Sequence, residues 1–167
     1  MRGAFLQAFE RELLSLLPRL RRFARSLARD SADADDLVQL ALERALKARG
    51  QWEEGTNLNA WMYRILRNVW IDELRSRARR ARTFAPEEAG AAVGVPAHED
   101  VERNAEMRDV DRAMAALPEE QREAVALVLV EGLAYKEAAE VLDIPMGTLT
   151  SRLTRGRQAL AHWLEAA

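Results

Sequence analysis

The residues best suited to chemistry lie near the C-terminus, in the stretch Leu133 to Leu160. Thr148, Thr150, Ser151, Arg152, Thr154 and Arg155 crowd one short segment that holds no acidic residue. Arginine can pair bidentately with guanine, and serine or threonine with phosphates or base edges. The chemistry this set suits is therefore recognition of a nucleic acid. Catalysis has no comparable constellation: the chain lacks Cys, and its two His, His98 and His162, form no ligand pair. No metal site and no cofactor site is expected.

The elements that must hold these side chains follow from spacing. Ala138, Val141 and Leu142 recur at helical intervals. Asp143-Ile144-Pro145 then interrupts, because proline cannot donate to a preceding helix but is tolerated where a new one begins. The second helix buries Leu149, Leu153 and Leu160 and turns its small polar and Arg side chains to another surface. A helix held at a fixed angle by its predecessor, with such side chains in its N-terminal half, fits the major groove. Gly156 falls inside this helix, where glycine costs about 1 kcal/mol relative to alanine.

The segment Tyr135 to Arg157 resembles the C-terminal helix-turn-helix of the small bacterial sigma factors of the extracytoplasmic-function group. The residues that carry the likeness are Tyr135, Glu137, Ala139, Leu142, Ile144-Pro145, Gly147-Thr148, Ser151-Arg152, Arg155 and Arg157. The resemblance implies recognition of the −35 promoter element by Thr148 to Arg155. Thr150 and Thr154 stand where relatives often carry larger cationic or aromatic side chains, which implies a different or weaker −35 preference.

Composition bounds the rest. The chain has 167 residues, 31% charged and 49% apolar, enough to bury a core in one domain or two small ones. Abundant Ala, Leu, Arg and Glu favour an all-α fold. The expected architecture is two small helical domains, 1–82 and 102–167, joined by a flexible acidic linker at 83–101. The opening residues look unlike a signal peptide, and no run approaches the length needed to span a bilayer. These features predict a cytoplasmic protein. Net charge is only −2, but it is unevenly distributed. Trp61 to Arg82 carries seven Arg against Asp72 and Glu73, a net +5. Thr83 to Glu106 carries six acids against Arg103, a net −5. A basic segment attracts phosphates whatever the total charge.

In the N-terminal half, leucines at intervals of three and four predict a helix over Phe5–Ala28, broken just before Pro18. Ser31 is the expected cap of a second helix reaching about Ala48, with Gly50 ending it, and Leu37, Val38, Leu40, Ala41, Leu42, Ala45 and Leu46 are expected to form its broad buried face. Asp36, Gln39, Glu43 and Lys47 then form one exposed stripe. The segment Asp35-Asp36-Leu37-Val38-Gln39 resembles the sigma-factor region that grips the clamp helices of core RNA polymerase. The resemblance assigns that contact to Asp36, Gln39, Glu43 and Arg44.

Gln51 to Asn59 is expected as a polar loop pivoting at Gly55, with Thr56 or Asn57 capping a third helix that runs to about Arg80. At about 100° per residue, Leu58, Met62, Ile65, Leu66 and Val69 face the core. Arg64, Arg67, Asn68, Ile71 and Arg75 fall opposite, and Trp61 and Trp70 lie on the shoulders. A basic face with an amide and flanking rings suits a single strand. The stretch Asn59 to Asn68 resembles the sigma-factor helix that recognises and melts the −10 element. The resemblance implies −10 contacts by Trp61, Arg64, Arg67, Asn68, Ile71 and Arg75. It also implies a loop pocket at Gln51 to Asn59 for a flipped base that Asn68 helps to hold.

Beyond the linker, Val101 to Ala116 is expected as a helix with Val110, Ala113 and Met114 inward. Another starts at Leu117-Pro118, with Ala124, Val125, Val128 and Leu129 as its core face. The family resemblance covers both halves and implies a promoter-specificity subunit that binds core polymerase and promoter DNA and is held in check by an anti-sigma factor. The competing readings are a decoy that binds an anti-sigma factor without touching DNA, and a plain helix-turn-helix repressor. The decoy has no need of Asn68, Arg152 and Arg155, and the repressor no need of the Asp36–Glu43 stripe.

Overall fold

The computed structural model describes residues 1–84 and 105–166. Among these, every regular element is helical. The N-terminal domain contains α1 (Arg2–Ser15), α2 (Leu17–Ala28), α3 (Ser31–Lys47) and α4 (Leu58–Thr83). The C-terminal domain contains α5 (Ala105–Ala116), α6 (Glu119–Val125), a π turn (Ala126–Val130), α7 (Tyr135–Leu142) and α8 (Met146–Ala166). The expected linker lies mostly outside the described residues.

Pro18 breaks the first helical run as expected, with the junction at Leu16. Leu20, Phe23, Ala24 and Leu27 of α2 meet Leu37, Val38 and Ala41 of α3 and Leu58, Met62 and Leu66 of α4 in the N-terminal core. α3 is capped by Asp30, not Ser31: Asp30 is extended, and its carboxylate accepts from Asp33 N at 3.3 Å. Arg29, at φ 61°, makes the reversal that places Asp30 there. The C-terminal end of α3 likewise differs, since Ala48 caps it and Gly50 sits within a 3₁₀ turn over Arg49–Gln51. Gly55 does pivot the following loop, at φ 89°. Asn57 is the cap of α4, accepting from Asn59 N at 3.0 Å.

Four apolar positions face outward against expectation: Leu40 and Leu46 on α3, Val110 on α5 and Leu129 on the π turn. The π turn explains the last. Glu131 N bonds Ala126 O at 2.8 Å, five residues back, so each residue there advances less around the axis than in an α-helix. Ala126 and Leu127 consequently stay inside and Leu129 turns out. Gly132, at φ 72°, closes the turn.

Asp143, at φ 53°, ends α7 in the left-handed region that Asp tolerates better than most residues. Pro145 O then accepts from Leu149 N at 3.0 Å and opens α8. A Cβ on Gly156 of α8 meets Val125 Cγ2 at 2.7 Å and Gln121 O at 3.3 Å. Glycine at this position is thus a packing requirement of the α6–α8 crossing, not merely a weak helix former.

Candidate nucleic-acid and polymerase interfaces

α8 presents its expected surface. Leu149 and Leu153 are buried, while Thr150, Ser151, Thr154 and Arg155 are exposed. Thr150 Oγ1 donates to Met146 O at 2.9 Å, which fixes its rotamer on the helix. Thr148 is half-buried. Arg152 lies along the domain surface with Nη2 3.5 Å from Glu120 Oε1. Glu120 is well exposed, whereas only 23% of the Arg152 side chain is accessible, so Arg152 must lift off the domain surface to reach a partner.

On α4, Leu58, Met62, Leu66 and Val69 are buried as expected, and Ile65 is half-buried. Arg64, Asn68 and Arg75 are exposed, and Ile71 is half-buried beside them. Trp61 is half-buried, its ring edge-on to Phe9 with centroids 6.1 Å apart. Trp70 is buried beneath the guanidinium of Arg77, 5.7 Å from the ring centroid. Arg77 in turn pairs with Asp33 and Glu73, both at 3.0 Å.

Arg67 departs from the expected open face. Its Nε donates to Glu123 Oε2 at 3.1 Å, and the pair is largely removed from solvent. Burial pushes the Glu123 carboxyl above its ordinary range, against the lowering influence of Arg67. One turn earlier on the same flank, Tyr63 is fully buried and donates to Glu131 Oε2 at 2.8 Å. Burial, reinforced by Glu131, raises the Tyr63 phenol well above its ordinary value. Arg22 of α2 completes the cluster by donating to both Glu131 oxygens, at 2.7 and 2.9 Å. Arg122, also buried, donates to Ser26 O at 2.6 Å and Leu117 O at 3.0 Å. Asn57 donates to Glu137 of α7. Sequence reasoning did not find Tyr63, Arg122, Glu123 or Glu131. The one available signal was Tyr63, a large side chain about 100° from Met62 whose hydroxyl, at the core edge, must find a partner.

The loop before α4 is less polar than expected. Trp52 is buried, stacked on Phe5 at 5.9 Å and tilted against Phe9 at 5.5 Å. Its indole Nε1 is buried without a hydrogen-bond partner among the described residues. A cavity of about 290 Å³ opens beside it, bounded by Phe5, Phe9, Gly55 and Thr56. On α3, Asp36, Gln39, Glu43 and Lys47 are exposed in one stripe, with Arg44 exposed beside it and 3.1 Å from Asp72.

Comparison with known proteins decides the family. Residues 13–80 match Sigma-70 region 2 and residues 107–160 match Sigma-70, region 4. Over 153 residues the chain is 35% identical to the ECF RNA polymerase sigma factor EcfG of Rhodopseudomonas palustris, covering 92% of this chain and 83% of that protein. The chain belongs to the extracytoplasmic-function sigma factors. As a sigma factor it works with core RNA polymerase and promoter DNA in transcription initiation. It is also 36% identical to the sigma factor SigM of Mycobacterium tuberculosis, over 98% of this chain and 78% of SigM. Among solved structures, the sigma factor RpoE of Bartonella quintana, in complex with the anti-sigma factor NepR, superimposes with a TM-score of 0.80 at 34% identity. That match spans 95% of this chain and 98% of RpoE, so it extends over both domains of this sigma factor. No described helix is long and apolar enough to cross a membrane.

Proposed function

We propose that this sigma factor reads the −10 element with α4 and the −35 element with α8, and holds core polymerase through α3. The observation that carries this reading is the exposure of two polar surfaces on opposite domains, each backed by a buried apolar face. Arg64, Asn68 and Arg75 form one, and Thr150, Ser151, Thr154 and Arg155 the other. Trp61, Arg67 and Ile71 border the first, and Thr148 and Arg152 border the second. The division into 1–82, 83–101 and 102–167 assigns one promoter element to each domain and the acidic segment to the path between them.

The roles follow from side-chain chemistry. Arg64, Arg67 and Arg75 follow phosphates, and Asn68 bonds the edge of an unstacked base. The cavity beside Trp52 receives that base: Phe5, Phe9 and Trp52 give it aromatic walls, which offset part of the cost of unstacking. Ser151, Arg152 and Arg155 contact the −35 major groove. Asp36, Gln39, Glu43 and Arg44 meet the clamp helices of the polymerase. The sigma factor supplies recognition, and the chemistry of RNA synthesis belongs to the polymerase. It acts in the cytoplasm, where an anti-sigma factor restrains it, as NepR is bound to the Bartonella quintana protein.

Site-specific photocrosslinking tests the assignment. In the polymerase complex, a crosslinker at position 68 is expected to label the −10 non-template strand and one at position 151 the −35 duplex. Labelling at neither element, or at the two exchanged, contradicts it.

A further inference from the structure

The cavity beside Trp52 is walled from two parts of the chain. Trp52, Glu54 and Gly55 belong to the loop before α4, whereas Phe5, Phe9 and Glu12 lie on one face of α1. The match to Sigma-70 region 2 begins at residue 13, so the α1 wall precedes it. Rings join the two parts. Phe5 stacks on Trp52 at 5.9 Å, and the buried Phe9 is tilted against Trp52 at 5.5 Å and edge-on to Trp61 at 6.1 Å. One helix thus positions both the tryptophan of the cavity and the one that borders the basic face of α4. Glu12 and Glu54 are exposed, and among the described residues neither carboxylate has an ion pair or a hydrogen bond.

A carboxylate accepts hydrogen bonds and repels phosphate. Every unstacked base offers it at least one N–H on its pairing edge: N6 of adenine, N4 of cytosine, N1 and N2 of guanine, N3 of thymine. An aromatic cavity with an acidic rim therefore admits a base edge-first and leaves its phosphate outside. We propose that α1 is part of the base-binding apparatus: Phe5 gives the face on which the unstacked base lies, and Glu12, with Glu54, accepts from its N–H groups. This rests on the reading of the cavity as the receiver of that base. Phe5 suits its role because it lines the cavity and is only half-buried, so ring surface remains for stacking. Phe9, covered by Trp52 and Trp61, holds the wall in place.

The test titrates polymerase carrying the sigma factor onto a forked promoter whose −10 non-template strand is intact or has an abasic site at one position at a time. In the unaltered protein, loss of the received base is expected to weaken binding about tenfold, within the range for one stacked base. Phe5→Ala is expected to weaken binding to the intact strand by a like factor, so that intact and abasic strands bind alike. Glu12→Gln, at an exposed position, is expected to narrow the same gap. If circular dichroism shows helix loss in Phe5→Ala, Phe5→Leu, which keeps an apolar side chain without a ring face, takes its place. A gap that survives in both variants overturns the proposal. So does a loss equal on intact and abasic strands, which a merely supporting α1 would give. If no position is sensitive in the unaltered complex, the cavity reading itself fails, and the proposal falls with it.

Discussion

Arg67 Nε and Glu123 Oε2 stand 3.1 Å apart although 56 positions separate them in the chain and they belong to different domains. A residue expected to face DNA is therefore held by an acid that no local pattern connects to it. Removing one member of a buried ion pair strands the other's charge.

Arg67→Ala is expected to destabilise the protein by about 3 kcal/mol, because Glu123 remains buried without its partner. The loss should depend on pH. Burial already raises the Glu123 carboxyl in the folded state, and removal of Arg67 takes away the influence that opposes this rise. A carboxyl raised on folding stabilises below its unfolded pKa, and that contribution is lost as pH climbs through the folded one. Denaturant titrations of Arg67→Ala should therefore show stability falling from the carboxylate range towards neutrality, more steeply than in the unaltered protein. Arg67→Ala/Glu123→Gln should remove that extra slope. Parallel profiles for the two variants would contradict the buried-pair account.

Gly156→Ala probes the α6–α8 crossing. Helix propensity alone predicts a gain of about 1 kcal/mol. The 2.7 Å approach to Val125 Cγ2 predicts the opposite, since a buried β-branched side chain has little room to yield. Overpacking of this kind costs about 1–3 kcal/mol, and the second effect is expected to win. A raised unfolding midpoint would show that the crossing relaxes freely.

Asn68→Ala removes an exposed amide that holds no hydrogen bond among the described residues, so stability should be unchanged. Promoter opening is expected to suffer, because the cost of unstacking a base, a few kcal/mol, loses part of its compensation. Pre-melted templates should be spared. Equal loss on duplex and pre-melted promoters, measured by permanganate reactivity and transcript yield, would reject the flipped-base role.

Arg152→Ala is expected to cost about 1–3 kcal/mol at one base pair of the −35 element and little elsewhere. To reach the base, Arg152 must leave its 3.5 Å contact with the exposed Glu120. Binding assays on −35 variants check this. An unchanged preference at every position would remove Arg152 from base readout.

The helices themselves were legible in the sequence because their signals are local. Pro18 marked the first break, Asp143 to Pro145 the turn before α8, and the leucine spacing the buried faces. The exposed surfaces of α3 and α8 followed from the same periodicity. What the sequence concealed depends on residues far apart. Glu123, Glu131 and Arg122 sit in no local pattern that marks them, and their partners Arg67, Tyr63, Arg22 and Ser26 belong to the other domain. Trp52 read as part of a polar loop, whereas Phe5 and Phe9 of the distant α1 cover it. The π turn after Val125 has no breaker residue to announce it, and Leu129, assigned to the core face, turns out accordingly while Val128 still packs against the core. Gly156 was read by propensity, when its reason lies in the helix that crosses it.

The central claim is that two DNA-reading surfaces become usable together only on core polymerase. An electrophoretic mobility assay on a promoter fragment, with and without purified core enzyme, tests it most directly. The account predicts a specific complex, sensitive to changes in both the −10 and −35 elements, that forms only when core is present. Equally tight and specific binding by the free sigma factor, or no specific complex with core, would contradict it.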